Sequence, residues 1–298
     1  MNLKDLKRNV RVLNISHKDL DGCASSIIVK NVFEDVEYRY LKYGDVDEAM
    51  KTINFNKYDL ILLTDISPEY EETFKLTDKI LLLDHHDSAT RFHEPTKNRF
   101  VKEGKCAAHL CKTFFEKFFG IDLSYLNDFV NVVNDYDMWI LEDGNSWNFN
   151  ELYFYYYDEK FRNRFKNGDV KLTEDELNYV KDRRKLLGNV YKDINVYNFE
   201  SVNGAFFVGG TFLNDICHMV MKDKNVDFSI CINPKSKSCS IRSVHKDFHV
   251  GHNLREVIHG SGGHKNAGAF RFIDTQDMQT KLDKLENHIY ENFKDMRI

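Results

Sequence analysis

The chain has 298 residues, enough for one large or two medium domains, each with its own core. Its 42% hydrophobic content fits a soluble globular protein, and no apolar run approaches the roughly 20 residues of a bilayer span. The net charge of −5 argues against a protein that coats long nucleic acid, because such domains are usually basic, but not against a pocket for a short one. The start of the chain lacks the apolar core of a signal peptide. Cys23, Cys106, Cys111, Cys217, Cys231 and Cys239 form no CxxC pair and read as buried small hydrophobes in a reducing compartment. A cytoplasmic protein without a membrane role is the expectation.

Residues 10–140 alternate strand and helix. Val10–Ile15 reads as a strand, followed by a helix from about Cys23 to Phe33 and a second strand at Val36–Leu41. Asp45–Ile53 reads as a helix with Asp45 as its N-cap. Tyr58–Thr64 and Lys79–Leu83 are the next strands, short aliphatic runs of the kind buried in parallel sheets. The alternation predicts an α/β fold with a doubly wound parallel sheet. Cys106–Phe119 is an amphipathic helix closed by Gly120, and Leu123–Trp139 is another. Asn145–Tyr157 is aromatic-rich without a clear period. Thr173–Ile194 is a charged helix opened by a Thr173–Glu176 capping box. Strands return at 196–199, 205–208, 226–232 and 239–243, with helices at 214–221 and from about 275. The expected division is 1–144 as a first domain, 145–194 as a helical connector and 195–298 as a smaller C-terminal α/β domain.

Chemistry-bearing residues gather where the first strands end. His17, Asp19 and Asp21 alternate with Lys18 and Leu20, and in an extended loop every second side chain points the same way. Asp65 follows one aliphatic run, and Asp84-His85-His86 ends another. Ligands bind outside the carboxyl ends of such strands, so three acidic or His-rich tips predict one shared site. Oxygen-plus-imidazole donors suit Mn²⁺ or Mg²⁺. Two adjacent histidines cannot point the same way in an extended chain, which predicts one on a metal and one facing substrate, with Asp84 orienting them. Asp135 and Asp137 end a helix, and only one of them need be a ligand. Trp139 packs below the site or in ordinary core. Downstream, a strand ends in Arg242-Ser243, and Gly260-Ser261-Gly262-Gly263 precedes His264; Arg and a glycine turn suit phosphate. The remaining histidines lack partner spacing and read as surface or satisfied core.

These blocks, in this order, resemble the DHH phosphoesterase superfamily, named for its Asp-His-His triplet. Motif one is His17-Lys-Asp19-Leu-Asp21-Gly22, motif two Asp65, motif three Asp84-His85-His86 and motif four Asp135, chosen over Asp137 for its offset of four to an aromatic. The stretch from Arg242 through Gly262-Gly263-His264 looks like the family's associated substrate-binding domain. The resemblance implies two Mn²⁺ ions, with Mg²⁺ as an alternative. His17 and Asp19 would hold one and Asp21 and His85 the other, with Asp65 bridging and Asp135 completing the set. The catalytic set would be His86, Asp65 and Asp84, with His86 on the scissile phosphate; Arg242, Ser243, Gly262, Gly263 and His264 would bind substrate. The chain is too short for the additional nucleic-acid-binding domain of RecJ-type exonucleases.

The function expected is Mn²⁺-dependent hydrolysis of short single-stranded RNA or DNA to mononucleotides. Two cations about 3.5–4 Å apart serve in-line attack at such centres. The alternatives are a cyclic or linear dinucleotide phosphodiesterase, a nucleoside bisphosphate phosphatase, and a non-catalytic nucleic-acid binder.

Overall fold

A computed structural model describes residues 6–94, 98–245 and 247–293. The chain divides into two compact units, Met1–Lys181 and Asp182–Ile298.

Two aliphatic runs set the centre of the first unit. Strands β3 (Leu60–Thr64) and β4 (Ile80–Asp84) are buried at every position, as expected when both faces of a parallel sheet are covered. With β1 (Arg11–His17), β2 (Asp35–Leu41) and β5 (Arg99–Val101) they form a five-stranded sheet in the order β2-β1-β3-β4-β5. Every pairing in it is parallel. The chain leaves β1 for β2 on one side and reaches β3 on the other. The topological switch point therefore lies between β1 and β3, where open α/β sheets bind ligands. Helix α1 (Leu20–Val32) follows β1 and is buried continuously from Leu20 to Val29, sandwiched by three later helices of this unit. These are α3 (Ala107–Phe119), α4 (Asn127–Asp137) and α5 (Ser146–Phe165). On the opposite face, Leu13, Ile15, Ile61, Leu63 and Leu82 pack with Val46 and Met50 of α2 (Val46–Lys51).

Two local expectations change, and one strand is added. Asp45 makes no side-chain cap on α2; it closes a turn instead, its N–H donating to the Lys42 carbonyl at 3.1 Å. The aromatic-rich segment after residue 145 is helix α5, kinked where Tyr157 takes a left-handed φ of 55°. Its two arms bury Trp147, Phe149, Phe161 and Phe165, and the kink breaks the single helical period. Strand β5 had no sequence signal of its own.

Helix α6 (Glu174–Asp193) carries the division between the units. The second unit holds β6 (Val196–Asn198), β7 (Gly204–Val208), α7 (Leu213–Lys224), β8 (Phe228–Asn233) and β9 (Ser238–Ser243). It continues through α8 (Val250–Val257), β10 (Gly262–Gly263), β11 (Ala267–Arg271) and α9 (Thr275–Phe293). Its six strands form a mixed sheet in the order β10-β11-β9-β8-β7-β6, with only β7 and β8 parallel. One face packs Ile230, Ile241 and Phe270 against Leu254 of α8 and Leu285 and Ile289 of α9. No helix among the described residues is long and apolar enough to cross a membrane.

Candidate metal centre

His17 is the last residue of β1, and the helix begins at Leu20, so Asp19 is an N-cap rather than a point on an extended loop. Its carboxylate accepts the Gly22 N–H at 2.9 Å and faces His17 Nδ1 at 2.6 Å. A Cβ on Gly22 would stand 2.1 Å from the His17 carbonyl oxygen, so only glycine lets α1 start this close to the strand. Asp21 lies in the first helical turn and points another way. It accepts the Ala107 and Ala108 N–H groups at 2.6 and 2.9 Å, at the positive end of α3.

Asp65, just past β3, is buried and holds a left-handed φ of 59°. That conformation is uncommon outside glycine, though Asp tolerates it better than most residues. It turns the carboxylate toward the other tips: His85 Nε2 is 3.2 Å from Oδ1 and His17 Nδ1 is 3.9 Å from Oδ2. His85 Nε2 also lies 3.6 Å from Asp21 and 3.6 Å from Asp137. His86 points elsewhere. Its Nδ1 meets Asp84 Oδ1 at 2.7 Å, and the same oxygen accepts the His85 and His86 N–H groups at 2.7 and 3.2 Å. Asp84 thus fixes both histidines from behind.

The two carboxylates at the end of α4 separate. Asp135 accepts the N–H groups of Glu142 and Asp143 at 3.0 and 3.1 Å, and its carbonyl takes those of Ile140 and Leu141. It anchors a loop in which Trp139 and Leu141 are both left-handed. Trp139 packs on Tyr136, with ring centroids 5.5 Å apart. The structure brings Asp137, not Asp135, to Asp21 and His85. Two groups with metal-ligand spacing result, His17-Asp19-Asp65 and Asp21-His85-Asp137, and a third, Asp65-Asp84-His86, shares Asp65.

Crowded burial shapes the charges. Burial, followed by the Asp137 carboxylate, pushes Asp21 up to about 6. Burial, followed by Asp19, pushes Asp137 up to about 7, and burial with four neighbouring aspartates lifts Asp65 well above the ordinary range. Against the cost of burial, His17 holds Asp19 down and His86 holds Asp84 down. Burial and then His86 lower His85 to about 4, which leaves it neutral near pH 7, as a ligand must be. Asp65 Oδ2 and Asp137 Oδ2 are buried without a hydrogen-bond partner. Uncompensated buried carboxylate oxygens are costly. A hard divalent cation would relieve them, so this oxygen-and-imidazole set fits Mn²⁺ or Mg²⁺.

In the second unit, Arg242 on β9 donates from Nη1 to the Ile241 carbonyl at 2.7 Å and from Nη2 to Asn214 of α7. Ser243 is buried, and its hydroxyl donates to the Asp227 carbonyl at 3.0 Å, which makes it a tether within the fold. Gly262 and Gly263 form β10 rather than an open turn, and His264 follows, its N–H on the Ala267 carbonyl at 2.7 Å. Register pairs Arg242 with Ala267, which sets the arginine and the glycine strand near one end of the sheet.

The sequence reading missed Tyr43. It follows β2, its ring lies 4.0 Å from that of His17, and its hydroxyl meets His86 Nε2.

No family model matches the chain. A 3′,5′-cyclic-nucleotide phosphodiesterase of Helicobacter pylori is 27% identical over 57% of this chain; the match spans 58% of that relative's length. Among solved structures, the DHH domain of a member of a ribosomal-protein family has a TM-score of 0.63 at 12% identity, covering 94% of this chain and 87% of that one. A pGpG-specific phosphodiesterase from Vibrio gives 0.57 at 15% identity, covering 95% and 99%. RecJ of Thermus thermophilus in complex with Mn²⁺ gives 0.58 at 12% identity, covering 97% of this chain and 55% of RecJ. The chain shares its fold with these DHH-domain and RecJ structures and carries His17-Asp19-Asp21, Asp65 and Asp84-His85-His86 in order at its strand tips.

Proposed function

We propose that the protein is a divalent-cation-dependent phosphodiesterase that hydrolyses short oligonucleotides to mononucleotides. The observation that carries this reading is the pair of buried, unpartnered carboxylate oxygens of Asp65 and Asp137 among imidazoles and further carboxylates. His17, Asp19 and Asp65 would hold one cation; Asp21, His85 and Asp137 would hold the other, with Asp65 shared. Asp137 here takes the role that the family pattern gave to Asp135. Mn²⁺ is the ion we favour, as in the RecJ complex. When bound, such ions supply an activated water and neutralise charge on the phosphate.

The chain's own groups do the rest. Asp84 opposes the cost of burial and raises the pKa of His86, so the imidazolium form can donate Nε2–H to a phosphate oxygen. Arg242 and His264 are proposed to bind substrate phosphate, with the backbone of Gly262 and Gly263 beside them. Ser243 drops out, because its hydroxyl is engaged within the fold.

A second reading is a linear dinucleotide or a 3′,5′-cyclic nucleotide as substrate, supported by what the Vibrio neighbour and the Helicobacter relative are named for. The test is a time course on end-labelled RNA and DNA, from dinucleotides to long single strands, with cyclic nucleotides and a nucleoside bisphosphate alongside. Mn²⁺, Mg²⁺ or excess chelator is supplied in turn. Turnover of the shortest fragments with Mn²⁺, lost in chelator, is expected. Preference for a cyclic substrate selects the second reading. Full activity in excess chelator refutes the metal centre, and tight binding without turnover refutes the enzyme.

A further inference from the structure

We propose that Tyr43 is a substrate-contacting residue, its hydroxyl donating to a non-bridging oxygen of the scissile phosphate beside His86. The inference rests on the phosphodiesterase reading above. It begins with how the chain presents this side chain. Lys42-Tyr43-Gly44-Asp45 links β2 to α2, and the Asp45 N–H bonds the Lys42 carbonyl at 3.1 Å. Gly44 has a φ of +85° at the third position, the mark of a type II turn, so Tyr43 occupies the second position at the apex. The base of the turn is pinned to motif one, since the Lys18 N–H donates to the Leu41 carbonyl at 3.0 Å. The tyrosine backbone is thereby held beside the tip of β1.

Its side chain is placed with equal definition. One ring centroid distance is 4.0 Å to His17, tilted at 34°; the other is 5.1 Å to His86, edge-on at 74°. The hydroxyl shares a hydrogen bond with His86 Nε2, while Nδ1 of the same ring is committed to Asp84. Tyr43 is 49% exposed and His86 only 6%. A molecule approaching Nε2 from solvent therefore meets the phenol hydroxyl. A half-exposed tyrosine ordinarily turns its hydroxyl to water; here it turns inward, onto the imidazole assigned to the phosphate.

The chemistry selects phosphate as the partner. Aspartates dominate this centre, and a phosphodiester arriving there is itself an anion. A neutral O–H donor stabilises charge developing on phosphate oxygens from a fixed position. Because one ring face already lies against His17, the hydroxyl rather than the ring is the group available for work.

Tyr43→Phe keeps the ring and removes the donor. With Mn²⁺, it is compared with wild type on bis(p-nitrophenyl) phosphate, which has neither base nor sugar, and on a short oligonucleotide. We expect kcat/KM to fall about 10²-fold on both, mainly through kcat. Mn²⁺ affinity by calorimetry and the melting temperature should stay as in wild type. An equally active Tyr43→Phe overturns the inference alone. So does loss of Mn²⁺ binding in that variant, because the hydroxyl would then serve the ligands. A defect confined to the oligonucleotide, and seen only in Tyr43→Ala, replaces phosphate contact with base stacking. A wild type that hydrolyses neither ester overturns the phosphodiesterase reading and takes this inference with it.

Discussion

The first unit buries carboxylates in two places, and they differ in one respect. At the start of α6, Glu176 is fully buried and fully answered. Arg164 grips it with two nitrogens at 2.8 and 3.0 Å, Tyr156 donates its hydroxyl at 2.9 Å, and the Thr173 N–H completes the capping box at 2.7 Å. Burial opposes ionisation there, but these donors win and lower its pKa. At the strand tips, Asp21, Asp65 and Asp137 have no lysine or arginine partner among the described residues, and their pKa values rise. Burial alone therefore does not mark a site. A compensated carboxylate is architecture, whereas an uncompensated one costs stability that the fold retains only if something else supplies the positive charge.

The largest effect should come from Asp65→Asn. Asparagine tolerates the left-handed backbone and preserves shape, so only the shared charge is lost. Turnover with Mn²⁺ should fall by roughly 10³-fold, because both proposed ions lose a ligand. Without metal the variant should melt higher than wild type, since the fold no longer bears the cost of burying this carboxyl among aspartates, either ionised or protonated against its ordinary pKa. Added Mn²⁺ should raise the wild-type melting temperature and leave the variant nearly unmoved. A variant that melts lower than wild type without metal would place Asp65 in the compensated class and dissolve the contrast.

Asp135 and Asp137 repeat the contrast within three residues. Asp137→Ala should cost activity by at least about 10²-fold with little loss of stability. Asp135→Ala should strip acceptors from the Glu142 and Asp143 N–H groups, lowering stability by about 1–3 kcal/mol, while Mn²⁺ still binds. Calorimetric Mn²⁺ titration and denaturant unfolding of both variants separate the two outcomes. Loss of Mn²⁺ binding in the Asp135 variant alone would restore the ranking that the family pattern suggested.

That ranking shows where sequence runs out. The sheet was legible because Leu60–Leu63 and Ile80–Leu83 admit few other buried forms, and the gathering of acidic and His side chains at their ends followed from the parallel topology. The phase at the end of α4 was not legible. Asn134 accepts the Cys106 N–H at 3.0 Å, and Asp137 lies three residues on, hence on the same helix face, toward Asp21. Asp135 lies off that face, and the offset to Trp139 carried no geometric information. Tyr43 did leave a signal, a tyrosine before Gly-Asp at a strand-to-helix turn, but nothing local says which way its ring points. The Thr173–Glu176 capping box was readable from spacing, whereas Arg164 and Tyr156 reach Glu176 from α5, a helix whose kink hid its period.

The compensated side of the comparison can be tested by Glu176→Gln. The amide can still serve as a cap partner, but it cannot receive the paired donation from Arg164 without turning an NH₂ toward a guanidinium. The expected loss is about 2–3 kcal/mol of unfolding free energy at pH 7, typical of hydrogen bonds to a charged group, with Mn²⁺ binding retained. The pH dependence has a definite sign. The folded-state pKa of Glu176 is depressed below the ordinary 4.5, so its contribution is complete above that value and disappears as pH falls through the folded value. Wild type and Glu176→Gln should then converge in stability under acid and diverge toward neutrality. The strand tips predict the opposite slope. Asp21 near 6, Asp137 near 7 and Asp65, raised well above the ordinary carboxylate range, make the metal-free fold bind protons that the unfolded chain has released. His85, depressed to about 4, opposes this by one proton. The three carboxyls outweigh it, so the metal-free protein should gain stability from pH 7.5 to about 5.5, and Asp65→Asn should flatten that gain. Unfolding curves at four or five pH values with chelator present measure both slopes on one protein. If Glu176→Gln tracks wild type at every pH, the Arg164 pair contributes nothing, and compensation by protein donors does not distinguish the two regions.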